Sequence, residues 1–277
     1  MWIFEGDINS NSTLDHIGIY PDNNDIMYET IPVICYNIYG TVFNNAITVL
    51  QSLKSLTNIP YKKMYITDNF STDSTYEILT KYQNEYRLEI IRIKCNQGMG
   101  RQISMELAMQ ECSETDYLMT MDFNTIYGEN FVIYINDIIK EPRENAVFNN
   151  FLSLKNANSI SWRNLNNGED WERMAHFVDH HFNVYLKSDL TIHNQEVYGS
   201  RDRRYAIGIH YYYRTFINTV ELQRSWCFKS FGEFYKHVKK YEAVVFTAYL
   251  LSKFYKNYCY DPVLNNKEFV KKFAIML

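Results

Sequence analysis

Four polar tips, each following a short apolar run, carry the side chains of this chain that suit a nucleotide: Tyr36 and Asn37, Asp68 and Asn69, Asn96 with Gly98, Gly100 and Arg101, and Asp122. A carboxylate at a strand end can accept the imide N–H of uracil or thymine, which is the chemistry open to Asp68. The plainer use of Asp68 and Asn69 is to begin a turn and cap the next helix. Tyr36 could stack on a base while Asn37 bonds to a ribose, or both could belong to a strand-to-helix turn. Glycine at 98 and 100 lets the backbone approach a ligand closely, and Arg101 offers fixed positive charge to a phosphate, although helix starts also use glycine freely. A second acidic cluster, Gly168-Glu169-Asp170-Trp171-Glu172-Arg173, opens a helical stretch, where acids also stabilise the positive helix end.

The elements that must position these groups read as alternating strands and helices. Pro32 to Tyr36 is the first strand, with Val42, Ala46, Val49, Leu50, Leu53 and Leu56 at helical spacing after it. Lys63 to Thr67 is the second strand, and Ser71-Thr72-Asp73-Ser74 can cap a helix from Thr75. Leu88 to Ile93, a helix over Gly100 to Cys112, and Tyr117 to Met121 complete four strand-helix units of the kind that build a parallel sheet. Ligands of open parallel sheets sit at the carboxyl ends of the strands, so the four tips are expected along one edge. Further on the pattern predicts a helix over Glu129 to Lys140, a strand over Ala146 to Leu154, an Asn-rich loop over Lys155 to Gly168, and a helix from Glu169 to about His180. Phe182 to Lys187 and Leu190 to His193 read as a strand pair, and from Tyr205 the chain reads as helical almost to its end.

The run from Ile31 to Asn124 resembles the donor half of the family 2 glycosyltransferases, and the resemblance continues more loosely to about residue 215. It is carried by Val33-Ile34-Cys35-Tyr36-Asn37, Asp68-Asn69-Phe70-Ser71-Thr72-Asp73-Ser74-Thr75, Asn96-Gln97-Gly98-Met99-Gly100-Arg101 and Met121-Asp122-Phe123-Asn124, in that order and separation. The resemblance implies an α/β GT-A fold, with a mostly parallel central sheet flanked by helices and a helical C-terminal extension. Residues 1–30 would be an arm, 31–125 the donor-binding half, 126–215 the acceptor-binding half of the same domain, and 216–277 the extension. It further implies transfer of one sugar, with inversion, from a nucleoside diphosphate sugar to a hydroxyl of a glycan, lipid-linked or protein acceptor. In that scheme Asp122-Phe123-Asn124 stands where the family has Asp-x-Asp, which holds Mn²⁺ or Mg²⁺ on the diphosphate. Asn124 keeps a carbonyl oxygen but removes a charge, so a weaker metal site is expected. Asp170 matches the aspartate that takes the acceptor proton, with Glu169 as its substitute. His193 matches a histidine that completes the metal or diphosphate site, or is an ordinary loop residue. Arg201, Arg203 and Arg204 would close over the phosphates or form a solvated face, and Tyr211-Tyr212-Tyr213-Arg214 resembles the helix that follows. Gln223-Arg224-Ser225-Trp226 is similar to the Gln-x-x-Arg-Trp signature of processive synthases, but with the wrong spacing.

A net charge of -4 and a pI near 6.0 give no bulk attraction to nucleic acid, which is not expected as a partner. Five scattered cysteines without C-x-x-C spacing suit a reducing cytoplasm, and the acidic N-terminus is not a secretory signal. Ala243 to Leu251 falls short of the roughly 20 residues a membrane span needs. With Tyr235, Lys239, Lys240, Phe254, Tyr255 and Lys256 around it, that stretch suits a packed or homodimer helix, or one lying on the cytoplasmic face of a membrane. Two other functions share such a sheet. A nucleotidyltransferase would want a glycine- and basic-rich loop after the first strand, where Asn37 to Asn45 offers only Gly40; a non-catalytic relative would be compatible with Asn124. A dehydrogenase is disfavoured because the glycine loop follows the third strand instead of the first.

Overall fold

Strands covered on both faces are apolar throughout, and this is how the first half of the chain is built. In β1 (Tyr36–Val42), β2 (Met64–Asp68), β3 (Leu88–Arg92) and β4 (Tyr117–Asp122), side chains alternate between two cores. Tyr36, Ile38, Val42, Met64, Ile66, Tyr117, Met119 and Met121 face one core, packed by α1 (Val49–Ser55), α2 (Thr75–Lys81) and α4 (Glu129–Lys140). Tyr39, Tyr65 and Leu118 face the other, where α3 (Gln97–Gln110) supplies Met105 and Ala108 and a later segment supplies Trp162. The α4 helix buries Phe131, Val132, Tyr134, Ile135 and Ile138, a stripe of helical period. The computed structural model describes residues 36–113, 116–140, 143–149, 152–154, 160–165, 169–187, 190 and 192–194, with 212–213, 216–217, 219–220, 223, 230–238, 243–254 and 274–276 beyond them.

The main sheet runs β10-β8-β6-β7-β4-β1-β2-β3, where β6 is Ala146–Phe148, β7 Leu152–Leu154, β8 Asn183–Leu186 and β10 Ala274–Met276. Strands β3, β2, β1 and β4 are mutually parallel, so the order reverses between β1 and β4. A sheet of this kind binds ligands in the crevice outside the strand ends at such a reversal. The α/β class expected from the sequence, with a largely parallel sheet flanked by helices, is what the chain adopts.

Several local expectations are corrected. Tyr36 begins the described part of β1, and the strand continues through Val42, which had been read as helical. The single strand expected over Ala146 to Leu154 is instead two strands, β6 and β7, paired antiparallel. The expected pairing of Phe182–Lys187 with Leu190–His193 is absent among the described residues. Instead β8 pairs with β6 and β10, while β9 (Ile192–Asn194) pairs with β5 (Thr125–Tyr127). The late region, expected to be helical almost to its end, holds α6 (Phe231–Val238) and α7 (Ala243–Ser252) among its described residues and closes on the short strand β10. No helix among the described residues is long and apolar enough to cross a membrane. Residues 1–30, Arg201, Arg203, Arg204, Tyr211 and Arg214 lie outside the described residues.

Candidate active site

The reversal point is occupied by one buried cation. Arg101 sits one turn into α3, whose start is fixed by Asn96: its side chain accepts the Met99 N–H at 3.2 Å. From there Arg101 donates through Nη2 to Asp122 Oδ1 at 2.6 Å and through Nη1 to Glu169 Oε1 at 2.8 Å and to Asp170 Oδ1. Asp122 closes β4, and Glu169 and Asp170 open α5 (Glu169–Asp179). Arg101 and Glu169 are each 3% exposed, whereas Asp122 is 27% and Asp170 39% exposed. The two solvent-facing acids thus form a rim over a buried ion pair. A lone buried guanidinium would cost several kcal/mol, and the three acids offset that cost. Burial works against the Arg101 charge, but Asp170, Asp122 and Glu169 together hold its pKa above the ordinary value. Burial, reinforced by the Asp170 charge, pushes the Glu169 carboxyl up.

The first turn of α5 is held against the sheet by a second guanidinium. Arg173 donates to the Tyr39 hydroxyl at 2.9 Å and to the Ile160 carbonyl at 3.1 Å, and Trp162 Nε1 donates to the same hydroxyl at 3.2 Å. Arg101 and Arg173 lie 4.8 and 4.5 Å from the Trp162 ring centre, contacts that favour both cations. Trp162 is fixed in turn by its backbone N–H, which donates to Gln102 Oε1 at 2.7 Å. These connections run from β1 through residues 160–165 to α5, so the strand that neighbours Asp122 also positions Asp170.

Gly98 explains why this segment can sit so close. Its N–H donates to the Leu165 carbonyl at 2.8 Å, and a Cβ there would meet the Arg163 carbonyl oxygen at 1.9 Å. The glycine expected to admit a ligand admits the chain's own backbone. Gly98→Ala is expected to destabilise the protein by about 2–3 kcal/mol, the cost of forcing an overpacked contact apart, read as a lower denaturation midpoint.

Tyr36 and Asn37 are corrected as donor ligands. The register Tyr36↔Tyr117 and Asn37↔Leu118 against Thr41↔Asp122 puts them five and four residues, roughly 17 and 14 Å along the strand, from the edge that carries Asp122. Tyr36 is buried in the core, and Asn37 donates to the Ala108 carbonyl and to Cys112 Sγ. The residues at the expected edge are Phe43 and Asn44, which sequence reading missed. Phe43 is exposed, and Asn44 takes a left-handed φ of 52° while its Oδ1 accepts the Thr72 N–H at 2.8 Å. Asn96 is placed as a helix cap.

Asp68 lies on the correct edge, with Val42 opposite it in register, but it has no exposed surface. Its oxygens accept the Ser71 N–H at 3.3 and 3.2 Å, and Oδ2 pairs with Arg92 Nε at 3.3 Å. The turn-forming role therefore holds, together with an ion pair that the sequence did not reveal. Arg92 also packs against the rings of Phe70 and Tyr76, at 4.8 and 4.4 Å, and Phe70 is an exposed aromatic with a left-handed φ of 55°.

Asn124 sits in the turn between β4 and β5, and its Oδ1 accepts the Thr125 hydroxyl at 3.2 Å. The Tyr127 hydroxyl accepts the Asp122 N–H at 3.2 Å and so closes that turn. The pairing Ile126↔His193 brings the His193 backbone two positions from Asn124. Among the described residues no group of three acids, histidines or cysteines is arranged to hold a metal alone. A hard divalent ion that takes one or two protein oxygens, with phosphate and water completing its shell, fits Asp122 and Asn124.

Deeper in α5, burial pushes Glu172 up to about 7 against the opposing charges of Arg163 and Arg173. Arg163 Nε donates to Glu172 Oε1 at 3.1 Å. Burial, Arg163 and His180 lower His176 to about 4. Below its ordinary value of 4.5 Glu172 carries a proton in both folded and unfolded chains; between 4.5 and about 7 only the folded form keeps it, so its contribution to stability falls as pH rises through that window. Glu172→Gln is expected to gain about 2–3 kcal/mol relative to the parent between pH 5 and pH 8, measured by chemical denaturation at both. The opposite slope from His176 is present in both proteins.

The model of glycosyl transferase family 2 matches residues 38–194, more than half of the chain. The chain belongs to glycosyltransferase family 2. A curated relative, the poly-beta-1,6-N-acetyl-D-glucosamine synthase of Staphylococcus epidermidis, is 25% identical over 121 residues, 43% of this chain and 28% of that protein. The chain thus matches well under two thirds of that relative's length. Among solved structures, S. aureus TarS (1-349) in complex with UDP-GlcNAc aligns with a TM-score of 0.52 at 13% identity, over 78% of this chain and 79% of that one. Its complex with UDP gives 0.50 at 12%, over 78% and 80%. At these identities the likeness establishes the GT-A fold, which this family 2 member shares.

Proposed function

We propose that this family 2 protein transfers one sugar, with inversion, from a nucleoside diphosphate sugar to an acceptor hydroxyl. The observation that carries the reading is the pair of partly exposed carboxylates, Asp122 and Asp170, held by one guanidinium at the reversal point of the sheet. Inverting displacement needs a base on the face of the sugar opposite the departing diphosphate, and Asp170 is the more open acid, on the acceptor-side helix. Its carboxylate takes the proton of the attacking hydroxyl as the oxygen bonds to the anomeric carbon and the bond to the diphosphate breaks. Asp122, with Asn124 Oδ1 and His193, would hold Mn²⁺ or Mg²⁺, which supplies positive charge to the leaving diphosphate. Glu169, buried and already paired, braces Arg101 and takes no proton from the acceptor.

The base of the donor belongs at the β1 and β2 ends. Phe43 and Phe70 offer exposed rings there, and Arg92 offers donors to an imide carbonyl. Asp68 can accept the imide N–H only through a shift of the 69–71 turn that now covers it. A uridine nucleotide is the first donor to test, because the solved relative TarS was captured with UDP-GlcNAc. The experiment is a panel of UDP-, GDP- and dTDP-sugars, with and without Mn²⁺, scored by thermal stabilisation and then by nucleoside diphosphate release. Stabilisation by one donor class with diphosphate release is the expected outcome. Binding without release would favour a non-catalytic relative, and release of pyrophosphate would favour a nucleotidyltransferase.

A further inference from the structure

We infer that Arg101 is the positioning residue of this site: its guanidinium fixes Asp122 and Asp170 relative to each other and does not contact the donor's phosphates. The inference rests on the transfer reaction proposed above. A phosphate is bound by an N–H edge that reaches solvent, yet Arg101 is 3% exposed. Both of its terminal nitrogens are committed, Nη1 to Glu169 and Asp170 and Nη2 to Asp122, while Nε is buried without a partner and Trp162 covers the ring face. The planar fork therefore sets the direction of two acids that come from different elements, β4 and α5. A flexible ammonium carries the same charge but not that geometry. The acid that receives the acceptor proton and the acid beside the leaving diphosphate are consequently held as one unit.

A second consequence concerns the metal. Arg101 occupies Asp122 Oδ1, so a divalent ion would compete with it for that carboxylate and would draw its remaining oxygens from the diphosphate and water.

The test uses the full chain with Arg101→Lys and Arg101→Met. The expected result is a fall in kcat of about tenfold for the lysine variant and about 10²-fold for the methionine variant, the scale of a small misplacement of reacting groups, with donor KM within about threefold of the parent. In calorimetry without donor, Arg101→Met is expected to bind Mn²⁺ several-fold more tightly than the parent, because the competing cation is gone. A raised donor KM with kcat retained in either variant would make Arg101 a phosphate ligand and overturn the inference. Unchanged Mn²⁺ affinity in a folded Arg101→Met protein would also overturn it. If the methionine variant does not fold, the kcat and KM of Arg101→Lys decide. Should the parent transfer no sugar from any donor, the proposed reaction fails, while the donor-free Mn²⁺ comparison still decides whether Arg101 holds Asp122.

Discussion

Asp170→Asn is expected to lower kcat for sugar transfer by about 10²- to 10⁴-fold, the range that a positioned general base contributes. The amide preserves the shape of the side chain and still offers an oxygen to Arg101 Nη1, so the start of α5 and the buried pair beneath it should remain in place. What the amide lacks is a basic lone pair for the acceptor proton. Donor affinity, measured by calorimetry with Mn²⁺ present, should stay within a few-fold of the parent, because Asp122 and the rings at the β1 and β2 ends are untouched. Equal transfer rates in the two proteins would remove Asp170 from the mechanism. A loss of donor binding that parallels the loss of turnover would instead make it a structural acid.

The second large effect is expected at Asp122. Asp122→Ala should lower kcat by about 10²- to 10³-fold, comparable with the removal of one preorganised electrostatic contact to a leaving group. It should also abolish the part of donor affinity that depends on Mn²⁺. Arg101 would keep Glu169 and Asp170 as partners, so the fold should survive, and a thermal melt without ligand checks that. The two variants are separated by their binding signatures: one loses proton transfer and keeps the donor, the other loses the grip on the diphosphate. Donor affinity that responds to Mn²⁺ equally in Asp122→Ala and the parent would place the metal elsewhere.

Much of this architecture was legible because parallel strands covered on both faces are written as uninterrupted apolar runs between helical spacings. Lys63–Thr67, Leu88–Ile93 and Tyr117–Met121 each fell within a residue or so of the observed strands. The first strand was misplaced for a physical reason. Asn37 and Gly40 look like loop punctuation, yet Asn37 satisfies its amide on α3, and Gly40 lies so close to the Met121 carbonyl that a side chain there would collide with it. That error moved the first tip by seven positions, from Tyr36-Asn37 to Phe43-Asn44. Arg101, Asp122, Glu169 and Asp170 were identifiable by type, but not as one cluster. Nothing local links an arginine to acids 21 and 69 positions away. Trp162 was hidden in an Asn-rich stretch that reads as a loop, and Arg92 in the last position of a strand, because the contacts of both are made with residues distant in sequence.

The docking of residues 160–165 onto the first turn of α3 bears on how such a protein can diversify. Acceptor preference is usually altered by rewriting loops, but Trp162, Gly98 and Tyr39 form a keystone shared by both halves of the site. Under the proposed transfer, insertions that retune the acceptor would therefore be confined to either side of that short segment. A graft that replaced it wholesale would unseat the acid at Asp170 together with the specificity it was meant to change.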